Sequence, residues 1–190
     1  MLIRLKQFVT VLMALLFISC NSTKMVSIQK EGRIETGKIK NNKKTGKWKY
    51  SYENGRLYQV GRFKNNLETG NWKVFHSNGF LRQTGKFKNG KIDGLWKFYH
   101  ENGILYGLGK AEEGNFQGVW KWFFPNGQIH TIRNYENGKL VSVDFAKNFK
   151  GTNIDKGTIK NGNGTLIVYE TQILKDSILE VLNYKDGQIK

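Results

Sequence analysis

Four lysines stand 24 residues apart, at Lys49, Lys73, Lys97 and Lys121, and three further cations, Arg62, Lys86 and Lys110, keep the same step. A cation repeated at a fixed interval suits one kind of chemistry, the holding of several anionic groups at once. Other chemistries find less support. His76 and His100 also keep the step, which puts one repeat between them; Zn²⁺, with ligands at about 2.1 Å, cannot reach both across about 10 Å. The third histidine, His130, completes no Cys/His cluster, and no Ser-His-Asp grouping can be drawn. Glu68 and Asp93 are read as turn residues, where acids serve the backbone. The glycines open no helix, so they make no phosphate loop. The expectation is a protein that is not an enzyme, with no catalytic residues, metal or cofactor.

One residue does invite covalent chemistry. Cys20, the only cysteine, follows a basic start (Arg4, Lys6) and an apolar run from Phe8 to Ile18. That run is too short to span a bilayer and suits the h-region of a secretory signal. "FISC" (Phe17, Ile18, Ser19, Cys20) resembles the lipobox of bacterial lipoproteins, which implies cleavage of residues 1–19 and acylation of Cys20. Each buried CH₂ of the attached chains contributes about 0.8 kcal/mol to anchoring. The resemblance implies a bacterial cell envelope location, on the periplasmic face of the outer membrane, with the membrane itself as first partner. Residues 20–31, polar and without periodicity, are read as the lipidated Cys and a flexible tether.

Loss of residues 1–19 removes Arg4 and Lys6 and no acid, lowering the formal net charge from +16 by two, to +14. A charge of that size favours anionic lipid or acidic polysaccharide; nucleic acid is not expected in an exported protein. The alternative is that the lysines only keep a sheet soluble and its edges unpaired.

The elements that carry these residues follow from the same period. "GKWKYSYENG" (Gly46 to Gly55) returns as "GNWKVFHSNG", "GLWKFYHENG" and "GVWKWFFPNG", each 24 residues on. Every unit has a first glycine (Gly37, Gly61, Gly85, Gly109), a turn pair (Asn41-Asn42, Asn65-Asn66, Asn89-Gly90, Glu113-Gly114), a Gly-x-Trp and an Asn-Gly turn. Asn-Gly between alternating runs signals a two-residue type I′ hairpin. Twenty-two glycines, one proline and 13% aromatic residues fit many short strands. The predicted fold is all-β: an elongated antiparallel β-meander or solenoid of stacked 24-residue hairpins.

Alternation places Trp48, Trp72, Trp96 and Trp120 on one face and the seven cations on the other. The tryptophans, with Gly46, Gly70, Gly94 and Gly118 of the Gly-x-Trp motif, are the expected repeat core. The first glycines leave room for an indole across the backbone. Repeats are expected over 32–151, four clear and one degenerate, where Arg133 replaces the first glycine and Asp144 the tryptophan. Residues 152–190 read as a degenerate capping repeat, with a buried strand over Thr165 to Tyr169. Ile173 to Tyr184 fits a final strand or a short helix by pattern; strand is preferred, since "YKDGQIK" echoes "FKNGKID". An aromatic face on a single sheet would be a sticky patch if left wet. Curling, the C-terminal strands folding back, or homodimerisation would each cover it.

"TGKFKNGKIDGLWKFYHENG" (Thr84 to Gly103) resembles the bacterial MORN-repeat variant, which includes lipoproteins of the YwqK-type antitoxin family. The resemblance covers Gly32 to about Gly151. It implies stacked hairpins used for binding or scaffolding of a protein partner or an anionic surface, and, as an alternative, neutralisation of a toxin partner.

Overall fold

The computed structural model describes residues 22–30, 32–169 and 178–190. The signal segment 1–19 and Cys20 lie outside them. The described residues form strands and turns, with no helix among them.

Twelve strands make one antiparallel meander in chain order. They are β1 (Lys24–Lys30), β2 (Arg33–Lys40), β3 (Lys43–Tyr52), β4 (Leu57–Lys64), β5 (Leu67–Phe75), β6 (Leu81–Lys88), β7 (Lys91–Tyr99), β8 (Leu105–Glu112), β9 (Asn115–Phe123), β10 (Ile129–Glu136), β11 (Lys139–Lys147) and the short β12 (Asn153–Ile154). A separate three-stranded sheet follows, β13 (Gly164–Tyr169), β14 (Ile178–Lys185) and β15 (Gln188–Ile189). The expected all-β meander of hairpins is therefore present.

The tether expected over residues 20–31 is shorter than proposed. Lys24–Lys30 pairs along its whole length with β2, from Lys24↔Ile39 to Lys30↔Arg33. Of its apolar residues Met25, Val26 and Ile28, Val26 gives this strand a core contact, packing beside Trp48 and Phe63, while Met25 and Ile28 are exposed. Lysines at both ends suit an edge strand, where charge discourages further pairing.

The two kinds of turn divide differently from the expectation. The pairs Asn41-Asn42, Asn65-Asn66, Asn89-Gly90 and Glu113-Gly114 have positive φ at both residues, as a type I′ hairpin requires. The Asn-Gly turns do not: Gly55, Gly79, Gly103 and Gly127 have positive φ, but Asn54, Asn78, Asn102 and Asn126 do not. In the first of them the Gly55 amide donates to the Tyr52 carbonyl at 2.9 Å and the Tyr52 amide to the Arg56 carbonyl at 2.8 Å. That is a type I turn closed by a glycine bulge, the three-residue solution to the same problem. Asparagine is wanted there for its side chain. Oδ1 of Asn102 accepts the Ile104 amide at 3.1 Å, and its Nδ2 donates to the Pro125 carbonyl one unit further on at 2.9 Å. Asn78 and Asn126 likewise shape their own turns and reach the next, at the Glu101 and Phe149 carbonyls, whereas at Asn54 the Arg56 guanidinium makes the reach, to the Ser77 carbonyl.

The opposite edge is fastened through the backbone. The amides of Asn66, Gly90, Gly114, Gly138 and Gly162 donate to the carbonyls of Lys44, Glu68, Ile92, Phe116 and Val141. The last of these bonds ties the C-terminal hairpin to the meander. The Leu140 amide donates to Gly187 and the Gly187 amide to Gly162, extending the tie to β15.

The aromatic face closes within the chain, so no partner copy is needed to cover the tryptophans. Trp48, Trp72, Trp96 and Trp120 are 0%, 2%, 3% and 0% exposed. Each indole lies flat on a first glycine: a Cβ at Gly37, Gly61, Gly85 or Gly109 would meet the ring at 2.0–2.2 Å. Phe63 stands edge-on between Trp48 and Trp72, at centroid distances of 6.0 and 5.2 Å. Phe87 is set the same way between Trp72 and Trp96, at 5.5 and 5.2 Å. Edge-to-face pairs add to area burial, and fully burying one large side chain contributes about 1.5–3 kcal/mol.

At its two ends the face is finished differently. The residues at one repeat position run Lys44, Glu68, Ile92, Phe116, Leu140, from charged to apolar. At the first end the Lys44 ammonium sits 4.2 Å above the Trp48 ring and pairs with Glu35 at 2.6 Å. At the other, Leu140 and Val143 pack with Ile159 and Leu166 of the C-terminal segment, and Tyr135, Val168, Leu182 and Tyr184 enlarge the cluster. Folding back of the C-terminal strands is thus realised, with Leu166 of β13 buried. The strand expected to Tyr184 is seen as β14; its expected first part, residues 173–177, lies outside the described residues.

Candidate functional site: the cationic face

Register fixes the geometry of the cations. A single row crosses the sheet as Lys49↔Val60↔Lys73↔Thr84↔Lys97↔Leu108↔Lys121↔Ile132. Lysine recurs at every second strand, a step of about 10 Å at a strand spacing near 4.8 Å. The second row lies two residues along. Arg62 faces Lys47 and Thr69, Lys86 faces Asn71 and Asp93, and Lys110 faces Leu95 and Gln117. Two residues of strand cover about 6.8 Å, so the seven cations form a staggered field rather than a line.

Side chains of Lys49, Lys73, Lys121, Arg62, Lys86 and Lys110 are exposed and Lys97 is half-buried. Lys47, Lys64 and Lys88 are exposed as well. The carboxylates that meet the seven are Asp93, opposite Lys86, and Glu112, whose Oε2 is 3.7 Å from the Lys110 ammonium. Leu95 and Val119, 55% and 51% exposed, lie among the charges at the repeat position of Lys47 and Asn71. The apolar content of the face therefore rises toward the C-terminal units.

The Gly-x-Trp glycines are not part of the core. Gly46, Gly70 and Gly94 are half-exposed and Gly118 is exposed; each has φ between +67° and +87°. A Cβ at Gly70, Gly94 or Gly118 would meet nothing within 4 Å. They are required for backbone conformation, at the place where pairing slips: Thr36↔Lys49 is followed by Lys38↔Thr45. Gly37 and Trp48 both lie within that slip, and the indole is laid on the glycine.

The histidines are structural. Nε2 of His76 bonds the Tyr99 carbonyl and Nε2 of His100 the Phe123 carbonyl, both at 2.9 Å. Each staples its unit to the next. His130 stacks near Phe124 at 4.5 Å and belongs to a different environment. Glu68 and Asp93 lie within β5 and β7 rather than in turns, opposite Phe63 and Lys86. No group of three or more metal-ligating residues occurs among the described residues.

Lys44 lies on the tryptophan side of the sheet, apart from the cations of the lysine face. Burial lowers its pKa, but hydrogen bonds to Glu35 and the Tyr50 hydroxyl outweigh that and leave it raised. Its charge closes the end of the indole ladder and is not offered to a partner.

Four segments, residues 44–65, 68–89, 92–109 and 116–137, match the MORN repeat variant. Each match begins at the position of Lys44, Glu68, Ile92 or Phe116, so sequence match and structural unit coincide. No curated protein matches the chain. Repeats of this kind, presenting a regular side-chain field on an open sheet, define a repeat-based binding module.

Proposed function

We propose that this chain is a lipid-anchored, non-catalytic binding module of the bacterial cell envelope that holds an anionic surface against its lysine face. The observation that carries the reading is the in-register row Lys49, Lys73, Lys97 and Lys121, flanked by Arg62, Lys86 and Lys110. A repeat gives any residue one row and one spacing; what favours binding is that, among the described residues, Asp93 and Glu112 are the carboxylates that meet these seven cations. Anchoring rests on "FISC", whose Cys20 would carry the acyl chains.

Co-sedimentation of the full chain with vesicles tests this directly. Vesicles rich in phosphatidylglycerol are expected to bind it far more tightly than phosphatidylcholine vesicles, with affinity falling steeply as salt rises. Lys73→Glu with Lys97→Glu should weaken binding at least about tenfold. Equal binding to both vesicles, or indifference to the double substitution, overturns the reading. Cys20→Ala should release the chain from the membrane fraction of cells; retention there overturns the anchoring.

A further inference from the structure

Where the C-terminal sheet folds back, it does not fill the space beneath it. A cavity of about 430 Å³ remains against the meander, lined among others by Trp122, Phe124, His130, Arg133, Leu166 and Val168. That volume is in the range of small-molecule sites. None of its described lining residues is Asp or Glu.

The lining is made by departures from the repeat. Position 122 corresponds to Tyr50, Val74 and Phe98 in the earlier units, and position 107 to Gln59 and Gln83. Here they change together. Gly107 pairs with Trp122, and a Cβ on it would come within 2.5 Å of the indole. The substitution of tryptophan is thus matched by removal of the side chain beneath it. Arg133 is a third departure, standing in the glycine row opposite Trp120. A repeat that needed only to end could have kept the earlier residues.

Arg133 makes no ion pair among the described residues, and its Nε is buried without a hydrogen-bond partner. The indole Nε1 of Trp122 is in the same state. A buried donor without a partner is destabilising, more so when charged. His130, facing the same space, is held neutral by burial and then by the Arg133 charge, with its pKa lowered to about 4. Among the described residues the surroundings are therefore poor in negative charge and rich in flat apolar surface.

We propose that this cavity binds a small cyclic carboxylate, its anionic group paired with the Arg133 guanidinium and its ring laid against Trp122 and Phe124. Guanidinium matches a carboxylate with two parallel hydrogen bonds, and the indole supplies apolar contact. This site is separate from the lysine face and does not depend on what that face binds.

The probe is 2-naphthoate, compared with neutral 2-naphthamide, titrated into the full chain by calorimetry with tryptophan fluorescence as second readout. The expected result is saturable binding of one naphthoate per chain, with the amide at least about tenfold weaker. Arg133→Met should erase that preference and Arg133→Lys keep part of it, while Lys73→Glu leaves it unchanged. No saturable binding up to about 5 mM, equal binding of acid and amide, or a preference surviving Arg133→Met overturns the proposal. If Arg133→Met does not fold, the acid-to-amide comparison on the unaltered chain decides.

Discussion

Trp72 occupies the place where any side chain on Gly61 would begin: a Cβ there would lie 2.0 Å from the indole Cδ2. Because Trp72 is itself 2% exposed and held edge-on by Phe63 and Phe87, it has nowhere to retreat. Gly61→Ala is therefore expected to cost about 3 kcal/mol or more, as overpacking in a core that cannot relax. Gly55→Ala, where nothing lies within 4 Å but φ is +80°, should cost only about 1 kcal/mol. Denaturant midpoints of the two variants test the order; equal losses would show that the indole does not rest on Gly61.

The four tryptophans are not equivalent in their hydrogen bonds. Nε1 of Trp48, Trp96 and Trp120 donates to the carbonyls of Lys38, Lys86 and Lys110, at 3.2, 3.2 and 3.0 Å. In Trp72 that nitrogen is buried without a partner. Phenylalanine removes the N–H in either case, but only in the first three does a bond go with it. Trp96→Phe should then destabilise by about 1 kcal/mol more than Trp72→Phe, measured as the difference between their unfolding free energies.

Asn102 gives a two-part test of the turn stack. Asn102→Ala loses both the acceptor that shapes the turn and the donor that reaches Pro125, and should cost about 1–2 kcal/mol. Asn102→Asp keeps the acceptor and loses the donor, so its cost should fall between alanine and the unaltered residue. At Asn126 the corresponding reach, to Phe149, is 3.5 Å, and the same two substitutions should differ less there. Melting temperatures of the four variants settle the order.

Much of this was legible because a repeat constrains itself. The 24-residue step fixed which residues are equivalent, and alternation then put Trp48 and Lys49 on opposite faces, as the structure has them. Three features escaped that reasoning for identifiable reasons. Asn-Gly serves both hairpin solutions, and the backbone separates them: Asn89 has positive φ where Asn102 does not. Strand β1 keeps only the short alternation Val26 to Ile28, with Met25 on the other face, too brief to stand out beside polar neighbours. The cavity is made by residues that break the pattern, so a search for recurrence passes over Gly107, Trp122 and Arg133 one at a time. Their coordination could have been noticed, since Gln to Gly and Phe to Trp fall on directly paired positions. The gradient from Lys44 to Leu140 was also present in the sequence, and marks the end of the sheet that will be covered.

His130 supplies a pH dependence with a definite sign. Burial and then the neighbouring Arg133 lower its pKa from 6.5 to about 4, so the folded chain resists a proton that the unfolded chain accepts. Between those values the unfolded state binds more protons, and folding is weakened as pH falls. The contribution is fully present above pH 6.5 and is lost progressively down to about pH 4. A shift of this size corresponds to at most about 3 kcal/mol. His130→Phe removes the titrating group while keeping a ring against Phe124, 4.5 Å away. Unfolding free energies of the two proteins, followed from pH 7 to pH 4, should diverge in favour of the variant as the pH drops. Parallel curves would place the protonation of His130 outside the folding equilibrium and leave the acid sensitivity to the carboxylates.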